Sequence, residues 1–138
     1  MTGLRRVLLA KIIITILAWA LPLLVLPASA LVSLGFPMPE PAVFLRLLGT
    51  AYCALVVGYM LGLIRVRRNE YPLETVWVGI VSNGGATLVL AAAAFLGTWS
   101  DWGLAARAYM WFSFVAVASI TAGLVITGPM RADSRRDS

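Results

Sequence analysis

Twice in this sequence an acid stands six residues ahead of an arginine: Glu40 before Arg46, and Asp101 before Arg107. A carboxyl in a dry cavity is a general acid or base, and a guanidinium recognises anionic or carbonyl groups. Glu40 and Asp101 are therefore the candidate catalytic residues, and Arg46 and Arg107 the candidate ligand-binding cations. Tyr52, Tyr59, Tyr109 and Trp111 fall in the same two segments and offer apolar bodies with polar tips for a pocket beneath the arginines. Asn83, a lone amide beside Ser82, Gly84 and Gly85 in an apolar stretch, completes the candidate set. Six residues is not a same-face spacing on a helix, so the acids must fold back from preceding loops. Pairing within each repeat and cross-pairing, Glu40 with Arg107 and Asp101 with Arg46, both satisfy the pattern. Two ion pairs closing one end of the molecule, or a polar pocket there, are the two readings.

Other chemistry is excluded by composition. The 138 residues contain no histidine. That removes the usual haem ligand, the commonest zinc ligand and the histidine-activated nucleophile. Cys53 is alone, so it forms no internal disulfide and no cysteine-based metal site. No metal and no cofactor is expected.

The elements that carry these residues follow from hydropathy. Hydrophobic residues make up 61% of the chain and charged residues 12%, about half the usual share for a soluble domain. Four stretches hold few or no charges, and each accommodates a helix of about 20 residues crossing a hydrocarbon core of about 30 Å. In lipid the backbone must satisfy its own hydrogen bonds, so each span is helical. The expected spans are 8–34, 42–64, 74–97 and 104–128, within a single domain of residues 1–138, with a polar tail over 129–138. Short connections make an antiparallel four-helix bundle. Asn83 then lies roughly 15 Å inside the third span and must face the bundle for a partner. Pro22 and Pro27 are expected to kink the first span. Proton-coupled exchangers of this size need a carboxylate within a span, but all six acids fall at span ends or outside.

The net charge of +5 is not a nucleic-acid signature, because the basic residues flank the apolar runs. Arg5, Arg6 and Lys11 precede the first span, Arg65, Arg67 and Arg68 separate the second from the third, and Arg131, Arg135 and Arg136 follow the fourth. The positive-inside rule places both termini and the basic loop in the cytoplasm. Trp99 and Trp102 in the second outer loop suit the membrane–water interface. An alternative for the first 30 residues is a secretory signal, since a basic start and an apolar stretch lead to Ala28-Ser29-Ala30. Against it, the apolar run continues to Phe36, and an internal repeat needs the first span.

That repeat appears when the chain is offset by 61 residues. Glu40 falls on Asp101, Arg46 on Arg107, Gly58 on Ser119, and Gly62-Leu63 on Gly123-Leu124. Two parallel two-helix units are expected, with Gly58-x-x-x-Gly62 and Ser119-x-x-x-Gly123 forming small-residue packing faces.

At Arg46-Leu-Leu-Gly49, which opens the second span after Pro37-Met-Pro-Glu-Pro41, the chain resembles the broad DoxX-like group of small bacterial membrane proteins. The resemblance implies a compact four-helix bundle of the bacterial inner membrane, often an accessory subunit of a redox or biosynthetic system. The expected function is a binding or accessory subunit for an apolar small molecule, a lipid or a larger membrane complex. A cofactor-free enzyme (isomerase, cyclase or epoxide-opening) on a lipophilic substrate is the alternative. Expected partners are the bilayer, a lipophilic small molecule, and a larger complex or a second copy, with no nucleic acid.

The topology has a direct check. Cysteines placed at Met38 and Ser100 should react with an impermeant maleimide added outside intact cells, and those at Asn69 and Ser134 should not. Labelling at Asn69 would reverse the orientation.

Overall fold

The computed structural model describes residues 2–38 and 40–128, and all its regular elements are helices. The helices are α1 (Thr2–Val25), α2 (Ala28–Ser33), α3 (Val43–Arg67), α4 (Leu73–Phe95) and α5 (Leu104–Thr127). Helices α1, α3, α4 and α5 are each long and apolar enough to cross a membrane, as in a multi-pass membrane protein. The tail 129–138, with Arg131, Arg135 and Arg136, lies outside the described residues.

Span boundaries agree closely for three helices and differ for the first. It covers Thr2–Val25 rather than 8–34. Lys11 reads as a charge flanking the span, but the helix continues through it and buries it. At the other end Pro27 stops the helix. Leu26 turns to an extended conformation (ψ 131°), and α2 is a separate short helix after the break. Pro22 stays inside α1, and the preceding turn, Thr15–Ala20, is wound as a π-helix.

Side-chain contacts give the packing order. Arg46 at the start of α3 reaches the end of α1, while Tyr59 of α3 meets Ser82 of α4. Gly84 of α4 faces Thr121 of α5, and Trp19 of α1 meets Ser113 of α5. The four long helices thus form a ring, α1–α3–α4–α5, each antiparallel to both neighbours.

The interior divides into two halves. Leu4, Leu8, Ile12, Val56, Tyr59, Leu63, Val66, Val76, Ile120 and Leu124 form one core cluster toward the end that carries the α3–α4 loop. The opposite half is aromatic: Trp19 stacks on Tyr52, Phe36 meets Trp102 and Tyr109, and Trp99 meets Trp111. There the two loops interlock through backbone. Gly103 and Ala106 donate their N–H groups to the carbonyls of Gly35 and Leu34, satisfying donors at the start of α5. Gly35 has φ +88°, and a Cβ there would strike the Gly103 backbone, so only glycine fits.

The small-residue pairs are split between packing and surface. A side chain at Gly62 would collide with Thr75, and one at Gly123 would press on Val7 at 3.2 Å. Gly58 has nothing within 4 Å of an added Cβ, and Ser119 is exposed.

At the α3–α4 loop, the Tyr71 hydroxyl is buried without a hydrogen-bond partner among the described residues. Burial holds its pKa above the ordinary tyrosine value. A buried unpaired hydroxyl carries a desolvation cost of about 1–3 kcal/mol, and an apolar group of the same shape removes it. Tyr71→Phe is expected to leave thermal stability unchanged or raise it by about 1 kcal/mol. A fall in melting temperature would show that the hydroxyl has a partner outside the described residues.

Candidate functional site

The first polar contacts arise from the prolines of α1. A proline has no N–H to give to the carbonyl four residues earlier. Pro22 therefore deprives Ala18, and Pro27 deprives Leu23. Both carbonyls receive side-chain donors from other helices. The Tyr109 hydroxyl donates to Ala18 O at 2.6 Å. Arg46 donates Nη1 to Leu23 O at 2.6 Å and Nη2 to Leu26 O at 2.7 Å. The guanidinium caps the end of α1, where the helix dipole is negative and a cation is favoured.

Arg107, its counterpart at an offset of 61 residues, is exposed, and its Nη1 lies 3.5 Å from Ser100 O. Glu40 and Asp101 are exposed as well. The ion pairs among the described residues are Arg65 with Glu70 at 3.6 Å and with Glu74 at 2.7 Å. The acid–arginine quartet expected from sequence is thus not an ion-pair cluster. Arg46 uses backbone oxygens freed by proline, a demand invisible in the acid–arginine spacing.

A second group of polar contacts crosses the bundle interior. Lys11 is 3% exposed, and its Nζ donates to Asn83 Oδ1 at 2.6 Å. The ammonium also lies 4.4 Å from the centre of the Tyr59 ring, a cation–π contact. Asn83 is fixed by its own Nδ2, which donates to Gly79 O at 2.5 Å. The Tyr59 hydroxyl shares a hydrogen bond with Ser82 Oγ at 2.9 Å. Lys11 and Asn83 stand on diagonal helices, nine and ten residues from the starts of α1 and α4. Their equal depth, roughly 14–15 Å along each helix, lets the contact run straight across the ring.

The candidate residues are therefore divided among several places. Tyr59 and Asn83 meet at Lys11. Tyr52 stacks on Trp19 at 6.0 Å, and the Trp19 Nε1 donates to Ser113 Oγ at 3.1 Å. Tyr109 closes the Ala18 gap and packs edge-on to Phe36. Trp111 is half exposed against Trp99 and Phe114. Sequence reasoning missed Lys11, Trp19 and Ser113 as members of these contacts, and placed Ser82 beside Asn83 without its bond to Tyr59. For Lys11 a signal was present: four apolar residues, Val7 to Ala10, precede it, so the apolar run already surrounds it.

One concavity opens on the outside of the bundle, along the α3–α4 seam. It has a volume of about 400 Å³ and is lined by Gly58, Tyr59, Leu61, Gly62, Arg65, Glu74, Thr75 and Val78. The glycines remove side chains from one wall. The Arg65–Glu74 pair stands at its polar end.

Removing the Arg46 cap has a defined cost. Arg46→Ala strips two charge-assisted hydrogen bonds from part-buried carbonyls and should destabilise the bundle by about 2–4 kcal/mol. Arg46→Lys should recover only part, because one ammonium does not reproduce two fixed donors. Adding Glu40→Ala should change nothing further. Recovery of the melting temperature in the Arg46→Ala, Glu40→Ala double variant would restore the ion-pair reading.

Comparison with family models, curated proteins and solved structures found no match, so the functional reading rests on this geometry.

Proposed function

We propose that the chain is a binding or accessory subunit of the bacterial inner membrane, with both termini in the cytoplasm. In this reading it takes the apolar chain of a lipid or lipophilic small molecule in the α3–α4 groove. The observation that carries the reading is the groove itself. Its volume of about 400 Å³ falls in the usual range for small-molecule sites. From Arg65 to Gly58 it follows α3 for seven residues, roughly 10 Å, so an extended apolar chain fits along Leu61, Gly62 and Val78. At the mouth Arg65 already bridges Glu70 and Glu74. Arg65 is thus already engaged by carboxylates, and the lining charges Arg65 and Glu74 balance, which suits a neutral or zwitterionic head group.

The enzymatic alternative draws less support. Its acids, Glu40 and Asp101, are exposed, and the interior hydroxyl and amide groups of Tyr59, Ser82, Asn83 and Tyr109 are engaged in hydrogen bonds.

Gly58 provides the test. Nothing lies within 4 Å of an added Cβ, so Gly58→Leu fills the groove without disturbing the bundle. Replacing an interior helix glycine should also raise stability by about 0.5–1 kcal/mol. Native mass spectrometry of protein released from nanodiscs should show a bound lipid or lipophile on the parent chain and its loss from Gly58→Leu, at unchanged or higher melting temperature. Retention of the same bound species by Gly58→Leu would rule out the groove.

A further inference from the structure

Lys11 carries a positive charge into the membrane-spanning part of the bundle with no carboxylate partner among the described residues. Glu40, Glu70, Glu74 and Asp101 are all exposed, and the ion pairs that form all involve Arg65. The contacts around the ammonium are those of a charged group held by neutral partners. Asn83 presents only its oxygen, because its Nδ2 is committed to Gly79 O. The face of Tyr59, at 4.4 Å, favours a cation over a neutral amine. An ammonium has three donors, and one is spent on Asn83. One helical turn on, on the same face of α1, Thr15 is 1% exposed, and its Oγ1 has no hydrogen-bond partner among the described residues. A second donor-capable group thus lies one helical turn from an unneutralised charge. Four other threonines in the spans behave differently: Thr50, Thr87, Thr121 and Thr127 each bond the carbonyl four residues earlier.

We propose that Lys11 and Thr15 hold a small monovalent anion of halide size within the bundle. The balance of charge sets the class. One buried positive charge is neutralised by one negative charge, whereas sulfate or phosphate would leave a net charge in a low-dielectric interior. The groups free to contact the anion, the remaining ammonium donors and the Thr15 hydroxyl, can donate to it, so it needs to accept and has nothing to give. Easily dehydrated anions are preferred, bromide above chloride, because the site replaces their water with few contacts.

The experiment measures the melting temperature of the purified full chain in detergent at constant ionic strength, with gluconate exchanged for chloride, bromide or sulfate. A ligand that binds only the folded state stabilises it by RT ln(1 + [L]/Kd). Above the dissociation constant, bromide and chloride should each raise the melting temperature by about 3–6 °C per tenfold increase, and sulfate should not. Lys11→Met, which keeps the length and apolar stem, should abolish the halide response. Thr15→Val leaves the charge in place and should weaken halide affinity about tenfold, so it decides the matter if Lys11→Met does not fold. The proposal fails if the parent chain melts at the same temperature in bromide and gluconate, or if Thr15→Val and Lys11→Met respond to bromide as the parent does. Equal stability in all anions, together with modification of Lys11 by an amine-selective aldehyde and borohydride, would identify a neutral lysine instead.

Discussion

In hydrocarbon there is no water to accept or donate a hydrogen bond, so each backbone carbonyl must find a donor inside the protein. Helix α1 breaks this rule twice by its own sequence. Pro22 and Pro27 withhold the donors that Ala18 and Leu23 would receive in an uninterrupted helix. The rest of the upper bundle is arranged around those two carbonyls. Tyr109 must bring α5 against the π-turn of α1, and Arg46 must begin α3 beside the end of α1. These two bonds fix the angular position of both neighbours of α1. With Phe36 packed against Tyr109 and Trp102, and the Gly35–Gly103 contact behind it, the aromatic end closes around the same point.

The lower half is held by a different device. Aliphatic packing of Leu4, Leu8, Leu63 and Leu124 supplies shape, but lipid tails are as apolar as leucine and give little net drive for association. The Lys11–Asn83 contact adds direction. It joins diagonal helices, whereas the Trp19–Ser113 and Tyr59–Ser82 bonds join adjacent ones. A bundle pinned across its diagonal at one depth resists both sliding and rotation of α1 against α4. Among the described residues, the side-chain hydrogen bonds across the α3–α4 seam are the Tyr59–Ser82 bond and the exposed Arg65–Glu74 pair, and it is there that the groove opens.

The four long helices were legible because charge-free windows of membrane length are rare, and both ends of three of them fall within three residues of the windows' bounds. The first was misjudged for two physical reasons. Lys11 reads as a flanking charge along the chain, since a lysine inside hydrocarbon is costly, but a hydrogen bond from a diagonal helix receives it inside the bundle, and that partner is not deducible from spacing along the chain. The run from Ala28 to Phe36 is apolar enough to continue a span, and only the conformation at Leu26 and Pro27 reveals the break. Asn83 shows the same limit. Its need for a partner follows from depth alone, yet the identity of that partner requires the ring order of the helices.

The 61-residue offset brings Arg46 onto Arg107, but the helices preceding them differ in what they ask of an arginine. At this offset Pro22 falls on Asn83 and Pro27 on Leu88, and α4 runs unbroken through both positions to Phe95. An intact α4 keeps its own carbonyls bonded, so Arg107 finds no freed oxygen in the helix and remains exposed near Ser100. In the first half the prolines create the demand that turns Arg46 inward. In the second half, the residue in the place of Pro22 is the amide that receives Lys11. The two residues serve different purposes: Pro22 opens a helix that other side chains must close, and Asn83 anchors the charge inside the bundle.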